Sequence, residues 1–292
     1  MTSILQCPVC REPLLRTPGG YHCPNKHTFD AARQGYVNLL LVNQKNSREP
    51  GDNPDMIKSR RRFLDLGSYT RVSDGINDAV AGCLTGPGQT RSVTILDAGC
   101  GEGFYLKRLK ESLMHHPGGP IQADHYGIDI SKFAVRQAAQ RDRTMNWFVA
   151  SIIALPFAPS SLDIIVNVFA PADFAEFART LTGTGRLVIA SPGPRHLNGL
   201  REIIYPQARE HAQTEMPEQA KGIFSLVSAT RVTYPLELKT NTEIMDLLAM
   251  TPYYWNIDLN TRNKVEALDR LSLDIDVKIS VYQKTAGSIS KS

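Results

Sequence analysis

The apolar positions of this 292-residue chain follow two periods in turn, which predicts strands alternating with helices. At residues 93–96 a β-branched run precedes a glycine-rich turn, and Phe104, Leu106 and Leu109 then recur at helical spacing. The same order repeats through residues 125–190, and further strands are predicted at 232–238 and 274–282. Crossover connections of this kind favour a mainly parallel sheet with helices on both faces. We therefore predict an α/β fold.

The first forty residues depart from this alternation and carry a metal-ligand pattern. Cys7, Cys10, Cys23 and His27 are spaced C-x2-C-x12-C-x3-H, with a β-hairpin predicted between the two pairs. Two tight turns that each present two ligands suit tetrahedral zinc, and a segment this short needs the metal to fold. A redox C-x-x-C would not require the second pair. The spacing therefore predicts structural zinc, with His22 an open alternative to His27.

Two features follow the zinc segment. Residues 36–40 are apolar, and we expect them to form a short strand that pairs with the hairpin. Residues 44–70 then form a polar linker and a helix that carry the densest basic cluster of the chain. Phosphate contacts and a solvated linker face are both open for this cluster. Its six cations are Lys45, Arg48, Lys58, Arg60, Arg61 and Arg62.

The glycine-rich turn after the strand at 93–96 is the main candidate for ligand binding. It places Gly99, Gly101 and Gly103 at alternate positions beside the acids Asp97 and Glu102. Carboxylates would repel the pyrophosphate that a G-x-G-x-x-G turn binds, whereas S-adenosylmethionine carries no phosphate and offers cationic groups. The D-x-G-x-G-x-G form resembles the first motif of the class I methyltransferases that use this cofactor. A turn with no ligand is the alternative.

The next two strands end at positions suited to a nucleoside. Asp129 lies 26 positions after Gly103, close to where an acid binds ribose hydroxyls in a nucleotide-binding unit. A simple helix-start acid is the alternative for Asp129. Class I methyltransferases often place an acid for the adenine amino group at the end of the third strand. Ser151 occupies that place here.

A wider set of motifs resembles one family, the RlmA-type 23S ribosomal RNA guanine-N1 methyltransferases. The motifs are the zinc pattern, residues 29–40, Arg48-x-Pro50-Gly51-Asp52, residues 60–69, the glycine turn, residues 191–197 and residues 250–252. The resemblance implies a Rossmann-like class I methyltransferase domain with a seven-stranded sheet, and a homodimer whose zinc modules help to form an RNA cleft. It also implies that Tyr69, the 97–103 turn and His196 line the cofactor pocket. The implied target is a guanine in a hairpin of domain II, and some members confer resistance to tylosin-type macrolides.

The catalytic candidates follow the fourth strand of the predicted domain. Asn167 opens a degenerate relative of the loop with which amino-methylating enzymes hold a planar nitrogen nucleophile. Guanine N1 carries a proton at neutral pH, so methyl transfer requires alignment and proton removal. Asp173, Asn167 and Asp30 are candidates for the general base, and the alternative role for Asn167 is a hydrogen bond to the guanine edge. The target guanine would have to flip out of its RNA loop to reach the methyl group.

Bulk properties set the remaining expectations. A net charge of +4 is compatible with RNA but too small to prove it, and no apolar run approaches the length of a membrane span. We expect a cytoplasmic protein without membrane contact. The predicted division is a zinc module at 1–43, a basic linker and helix at 44–70, a methyltransferase domain at 71–285 and a tail at 286–292. A small-molecule methyltransferase with an incidental zinc module and a non-catalytic RNA-binding protein are the alternatives.

Overall fold

A computed structural model of the chain describes residues 3–44, 50–84, 92–205, 218–255 and 257–285. The predicted tail at 286–292 therefore lies outside the described residues. The strands are β1 (Leu15–Thr17), β2 (Gly20–His22), β3 (Thr28–Asp30), β4 (Tyr36–Asn38), β5 (Val93–Ala98), β6 (Ala123–Asp129), β7 (Asn146–Val149), β8 (Leu162–Val168), β9 (Leu181–Pro192), β10 (Phe224–Leu238) and β11 (Leu271–Lys284). The helices are α1 (Pro54–Asp65), α2 (Thr70–Leu84), α3 (Phe104–Met114), α4 (Lys132–Arg141), α5 (Phe174–Thr180), α6 (Asn198–Ile204), α7 (Asn241–Ala249) and α8 (Leu259–Glu266).

Eight strands form one mostly parallel sheet, which confirms the predicted α/β fold. Their spatial order is β10-β11-β9-β8-β5-β6-β7-β4, and β11 runs antiparallel to both of its neighbours. Strands β1, β2 and β3 form a separate antiparallel sheet, which contains the predicted hairpin. The large sheet thus has one strand more than the seven expected.

The additional strand corrects one prediction about the zinc segment. Strand β4 pairs in parallel with β7, and the Leu39 amide continues the ladder by donating to the Val149 carbonyl at 2.9 Å. The expected pairing of residues 36–40 with the hairpin is therefore wrong. The physical reason is burial, because Tyr36 and Val37 are buried in hydrophobic clusters on opposite faces of the large sheet. Such a strand needs a sheet edge whose two faces are both covered.

The two faces of the large sheet are covered by different structures. Ile95 and Trp147 belong to a core that includes residues of helices α1 to α4, whereas their neighbours Leu96 and Phe148 belong to a second core. The second core includes α5 and residues of the zinc module, such as Leu14. Helices were expected on both faces, but the zinc module covers much of the second face.

Backbone and ring contacts attach the zinc module to this face. Leu5 forms an antiparallel bridge with Phe157, and the Gln6 amide donates to the Pro156 carbonyl at 3.0 Å. Tyr21 packs edge-on against Phe148, with ring centroids 5.7 Å apart. The zinc module and the sheet therefore share one hydrophobic interior.

Short polar signals in the sequence set the helix starts around the ligand edge of the sheet. Ser131 caps α4 by accepting the Ala134 amide, and Asp173 caps α5 by accepting the Glu176 amide. Asn53 caps α1 in the same way, with Pro54 following at the first helical position. None of the helices within the described ranges is both long and apolar enough to cross a membrane.

Candidate active site and zinc centre

The four predicted zinc ligands converge at one point of the N-terminal module. The ligand atoms of Cys7, Cys10, Cys23 and His27 all lie within 4.8 Å of one another. Cys10 Sγ lies 3.7 Å from Cys23 Sγ, and His27 Nδ1 lies 3.3 Å from Cys23 Sγ and 3.6 Å from Cys7 Sγ. Tetrahedral bonds of zinc to sulfur and nitrogen place such atoms about 3.5 to 3.8 Å apart. The cluster therefore fits a zinc ion held by Nδ1 of His27 and three thiolates.

Two tight turns bring these ligands together. Arg11 and Lys26 both adopt positive φ angles of 64°, and their amides donate to the carbonyls of Cys7 and Cys23. His22 lies instead in β2, where it pairs with Leu15 on one side and Thr28 on the other. The fourth residue of the cluster is thus His27, which settles the choice between the two histidines.

The glycine turn lies at the carboxyl end of β5, the edge where open α/β sheets bind ligands. Its three glycines all have positive φ angles. At Gly99 a Cβ atom would also lie 2.5 Å from the Cβ of Ala170, so no larger residue fits there. The turn is tied to β6, because the amides of Gly99 and Cys100 both donate to the Ile128 carbonyl.

Two acids lie beside this turn, and they differ in their hydrogen bonding. Asp97 is 1% exposed, and its Oδ1 has no hydrogen-bond partner among the described residues. Burial, together with the nearby charge of Asp129, raises the pKa of Asp97 to about 8. Asp129 accepts the Gly101 amide at 3.0 Å and the Ser131 amide at 2.8 Å, although burial still raises its pKa. An unpaired buried carboxyl is costly unless a ligand satisfies it.

These residues fit S-adenosylmethionine better than a phosphorylated nucleotide. The ammonium and sulfonium cations of the cofactor would favour the carboxylate forms of Asp97 and Asp129, whereas a phosphate would disfavour them. Ser151 is buried just after β7, the strand that pairs with β6 on the side away from the glycine turn. The adenine was expected at this position.

Glu102 is paired within the protein. Its carboxylate forms a buried ion pair with Arg141, which also contacts the carboxylate of Asp65 at 2.7 Å. The Glu102 side chain is 1% exposed and therefore supports the turn from within the protein. Its predicted contact with the cofactor remains a prediction.

Three aromatic rings form a wall at the same edge of the sheet. Tyr69 Oη lies 3.3 Å from His196 Nε2, and the ring of Phe169 stacks on His196 at 5.5 Å and 18°. The Asp276 amide donates to His196 Nδ1 at 3.3 Å, so a neutral His196 carries its proton on Nε2 and donates to Tyr69. The structure therefore brings together Tyr69 and His196, which are 127 positions apart.

Comparisons with known proteins agree with both parts of this architecture. Residues 5–48 match the family model of the RlmA N-terminal zinc ribbon, and residues 89–248 match that of a methyltransferase domain. The 23S rRNA (guanine(748)-N(1))-methyltransferase of Streptomyces fradiae is 32% identical over 87% of this chain and 86% of its own length. The chain belongs to the 23S rRNA guanine-N1 methyltransferase family.

Two further relatives carry provisional names of the same activity. One, YxjB of Bacillus subtilis, is 28% identical over 97% of this chain and 98% of its own length. The other, from Micromonospora griseorubida, is 31% identical over 87% of this chain and 88% of its own length. Family membership confirms that the chain is a methyltransferase, with the cofactors predicted from its sequence, S-adenosylmethionine and structural zinc.

The catalytic candidates of this methyltransferase have unequal surroundings. Asn167 is buried, and its amide nitrogen donates to the carbonyls of Ala98 and Pro171 at 2.8 and 2.9 Å. Its oxygen is thus the remaining hydrogen-bonding group. Asp173 is half-buried and uses Oδ1 to cap α5, whereas Asp30 is exposed on β3 of the zinc module. The structure therefore leaves Asn167 as an acceptor and Asp173 as the carboxylate after β8.

The predicted RNA-binding cations are mostly paired within the protein. Lys45 and Arg48 lie outside the described residues. Lys58 pairs with the exposed Asp55 and is itself 61% exposed, so it remains accessible. The three arginines that follow are paired as Arg60 with Asp52, Arg61 with Asp65 and Arg62 with Asp246. Their role in RNA binding stays a prediction.

Three residues that the sequence analysis did not single out also lie near the site. Phe169 is 39% exposed and has a φ angle of +51°, which is uncommon for an aromatic residue. Arg195 and Arg231 line a groove of about 440 Å³ together with Asp274 and Asp276. The available signal for Phe169 was an aromatic residue directly after β8, and for Arg195 it was a basic residue in the loop that follows β9. Arg231 lies in the middle of β10 and gave none.

Proposed function

We propose that this enzyme transfers a methyl group from S-adenosylmethionine to N1 of a guanine in a hairpin loop of domain II of 23S rRNA. The observation that carries the proposal is the position of unpaired Asp97 and the Tyr69–His196–Phe169 wall at one edge of the sheet. The names of its relatives supply the substrate class. The cofactor would supply the electrophilic methyl group.

The protein's own contribution is alignment of the two reactants. Asp97 and Asp129 would hold the cofactor by its cationic and ribose groups. The Phe169 ring, with one part exposed beside His196, offers a face on which an extruded base can stack. Stacking on Phe169 would bring the base to the end of β8, where Asn167 lies.

The Asn167 oxygen matches the edge that guanine would present. Guanine N1 and its exocyclic N2 both carry hydrogens, and the Asn167 amide nitrogen is already bonded to Ala98 and Pro171. Asn167 would therefore accept a hydrogen bond and orient the base, since an amide does not take up a proton at neutral pH. We propose Asp173 as the proton acceptor, because it is the carboxylate nearest in the chain to this loop.

Exposed basic side chains support an RNA substrate. Arg195 and Arg231 have exposed fractions of 64% and 45%, and Lys58 lies exposed on α1. Phosphate contacts make binding depend on salt, so the affinity for an RNA hairpin should fall steeply as the salt concentration rises. Substitution of Lys58 by Ala should reduce that salt dependence.

The decisive test is methylation of unmodified 23S rRNA by the purified protein with labelled cofactor. Reverse transcription should stop at one guanine of the domain II hairpin, because an N1 methyl group blocks base pairing. Asp173→Asn should lower the methylation rate while leaving the affinity for S-adenosylmethionine intact. Normal cofactor binding without RNA labelling would exclude rRNA as the substrate, and absence of cofactor binding would indicate a non-catalytic RNA-binding protein.

Three further properties of the protein are proposed. We propose a homodimer, which light scattering of the purified protein tests. We propose a cytoplasmic location, because that is where the proposed rRNA substrate is found. A contribution to tylosin resistance is tested by comparing the drug sensitivity of cells with and without the gene. The division at residues 43, 70 and 285 also stays a prediction.

A further inference from the structure

Arg60 lies above the glycine turn and not on the solvent-facing side of α1. Its Nη1 is 3.6 Å from the position that a Cβ on Gly101 would occupy. The Arg60 side chain is 23% exposed, compared with 61% for Lys58 two residues earlier on the same helix. One cation of the predicted RNA cluster therefore belongs to the cofactor edge of the sheet.

The segment that precedes α1 holds Arg60 in this position. Asp52 forms an ion pair with Arg60, and the Asp52 carbonyl accepts a hydrogen bond from Ser131 Oγ at 2.8 Å. Gly51, with φ of +84°, packs so closely that a Cβ there would lie 2.9 Å from the Ser131 Cβ. The segment is thereby joined to the start of α4, next to Asp129.

The positions of the other site residues indicate which part of the cofactor lies under Arg60. Asp129 at the end of β6 is placed for the ribose, and the adenine is expected beyond it, towards β7 and Ser151. The amino-acid portion must then extend in the opposite direction, over the β5 turn. That portion carries an ammonium and a carboxylate, and the turn offers the unpaired Asp97 and the guanidinium of Arg60.

The donor capacity of Arg60 allows such a contact. A guanidinium has five N–H donors in a planar fork. Arg60 donates to the Asp52 carboxylate and to the Met250 carbonyl, the latter at 3.4 Å from Nη2. Donors thus remain for a carboxylate, and Asp52 fixes the plane of the fork.

We infer that Arg60 binds the carboxylate of the cofactor's amino-acid portion while Asp97 binds its ammonium. This inference rests on the proposed use of S-adenosylmethionine and assigns Arg60 to the cofactor instead of to RNA. Asp52 acts as a positioning residue, because its carboxylate pairs with the Arg60 guanidinium.

Calorimetry with two ligands tests the inference on the full-length zinc-bound protein without RNA. S-adenosylhomocysteine contains the amino-acid portion, whereas 5′-methylthioadenosine contains the same nucleoside without it. Loss of a charge-assisted hydrogen bond should weaken binding of S-adenosylhomocysteine to Arg60→Ala by about 10- to 100-fold. Binding of 5′-methylthioadenosine should change by less than about twofold. Arg60→Lys, which keeps the charge but not the fork, should be intermediate for S-adenosylhomocysteine.

The matched control is Lys58→Ala, which removes one positive charge from the same helix and should leave both affinities unchanged. Equal weakening of both ligands by Arg60→Ala, or no weakening of either, would overturn the inference. The comparison of two ligands within one variant cancels a general loss of folded protein, and Arg60→Lys supplies a second variant. Failure of the wild-type protein to bind S-adenosylhomocysteine would instead contradict the proposed function.

Discussion

Asp97 shows at the scale of one residue how burial creates a binding preference. The carboxyl is 1% exposed, lacks a partner for Oδ1 among the described residues and lies near Asp129. Burial and the charge of Asp129 together raise the pKa of Asp97 to about 8, so the carboxyl is protonated at neutral pH in the unliganded protein. A cationic ligand would favour the carboxylate form, and binding should then release a proton.

The first prediction concerns stability and pH at Asp97. The pKa of Asp97 is about 8 in the folded protein and 3.8 ordinarily, so the folded state binds the proton more tightly than the unfolded state. The resulting contribution of Asp97 to the free energy of unfolding is complete below pH 4 and is lost as the pH rises to 8. Asp97→Asn should remove this loss, so its free energy of unfolding should exceed that of the wild type increasingly from pH 5 to about 8. Urea denaturation of the unliganded proteins measures the difference. The exposed acid Asp55 provides the control variant, Asp55→Asn, and parallel curves for all three proteins would contradict the prediction.

The second prediction concerns Phe169 as the stacking surface for the target base. Phe169→Ala should lower kcat/KM for the RNA by roughly 10- to 100-fold, because stacking of one base on an aromatic ring contributes about 1–3 kcal/mol. Phe169→Tyr keeps the ring and should retain most of the activity. Calorimetry should show unchanged affinity for S-adenosylhomocysteine in Phe169→Tyr. Equal activity of the alanine and tyrosine variants would argue against stacking.

At the scale of elements, helix α1 and the segment before it connect the linker to the cofactor edge. The sequence indicated a polar linker followed by a helix with a basic start, and the structure begins this helix earlier, at Pro54 with Asn53 as its cap. The helix packs most extensively against α7, where Arg62 donates to Asp246 at 2.9 Å. Its arginines therefore join elements that are distant in sequence.

The third prediction tests this connection through Gly51. Gly51→Ala should displace the segment before α1 from Ser131, because Gly51 has a φ angle of +84° and an added Cβ would lie 2.9 Å from the Ser131 Cβ. We expect a loss of about 1–3 kcal/mol in unfolding free energy and weaker binding of S-adenosylhomocysteine. In the control, Gly82→Ala, the Cβ meets open space within α2, and stability should rise by up to about 1 kcal/mol. Thermal and chemical denaturation measure both, and an unchanged Gly51→Ala would show that the segment is not tightly docked.

At the scale of the whole molecule, the zinc module is part of the methyltransferase core. Strand β4 extends the large sheet, and Leu14 and Cys23 share a hydrophobic cluster with Phe148 and Phe157. Without the module, one face of the sheet would lose much of its apolar cover. The zinc ion would therefore stabilise more than the forty residues that bind it.

The fourth prediction is that zinc removal destabilises the methyltransferase domain. Cys23→Ser should reduce the zinc content and lower the temperature of a single cooperative unfolding transition. The affinity for S-adenosylhomocysteine should fall near that temperature. Cys83→Ser, which alters a half-buried cysteine outside the cluster, should keep full zinc content. A domain that unfolds at an unchanged temperature after zinc loss would show that the two parts are independent.

Much of this organisation could be predicted from the sequence because its signals are local. The Cys7–His27 spacing specifies two turns, and the strand–glycine–helix pattern at residues 93–109 specifies the cofactor turn. Neighbouring residues decide both, so no tertiary information was needed. The same reasoning placed Asp129 at the end of a strand, which the structure confirms in β6.

By itself, the sequence thus determined the fold class, the spacing of a zinc-binding pattern and the type of cofactor turn, whereas the tertiary structure placed His27 and not His22 in the cysteine cluster. Only the tertiary structure decided that β4 joins β7, that Glu102 pairs with Arg141 and that Arg60 lies over Gly101. These contacts join residues that lie from 39 to more than 100 positions apart, so side-chain type and short spacing do not specify them. They depend on which faces remain uncovered once the sheet has formed, a property of the packed chain and not of any short segment.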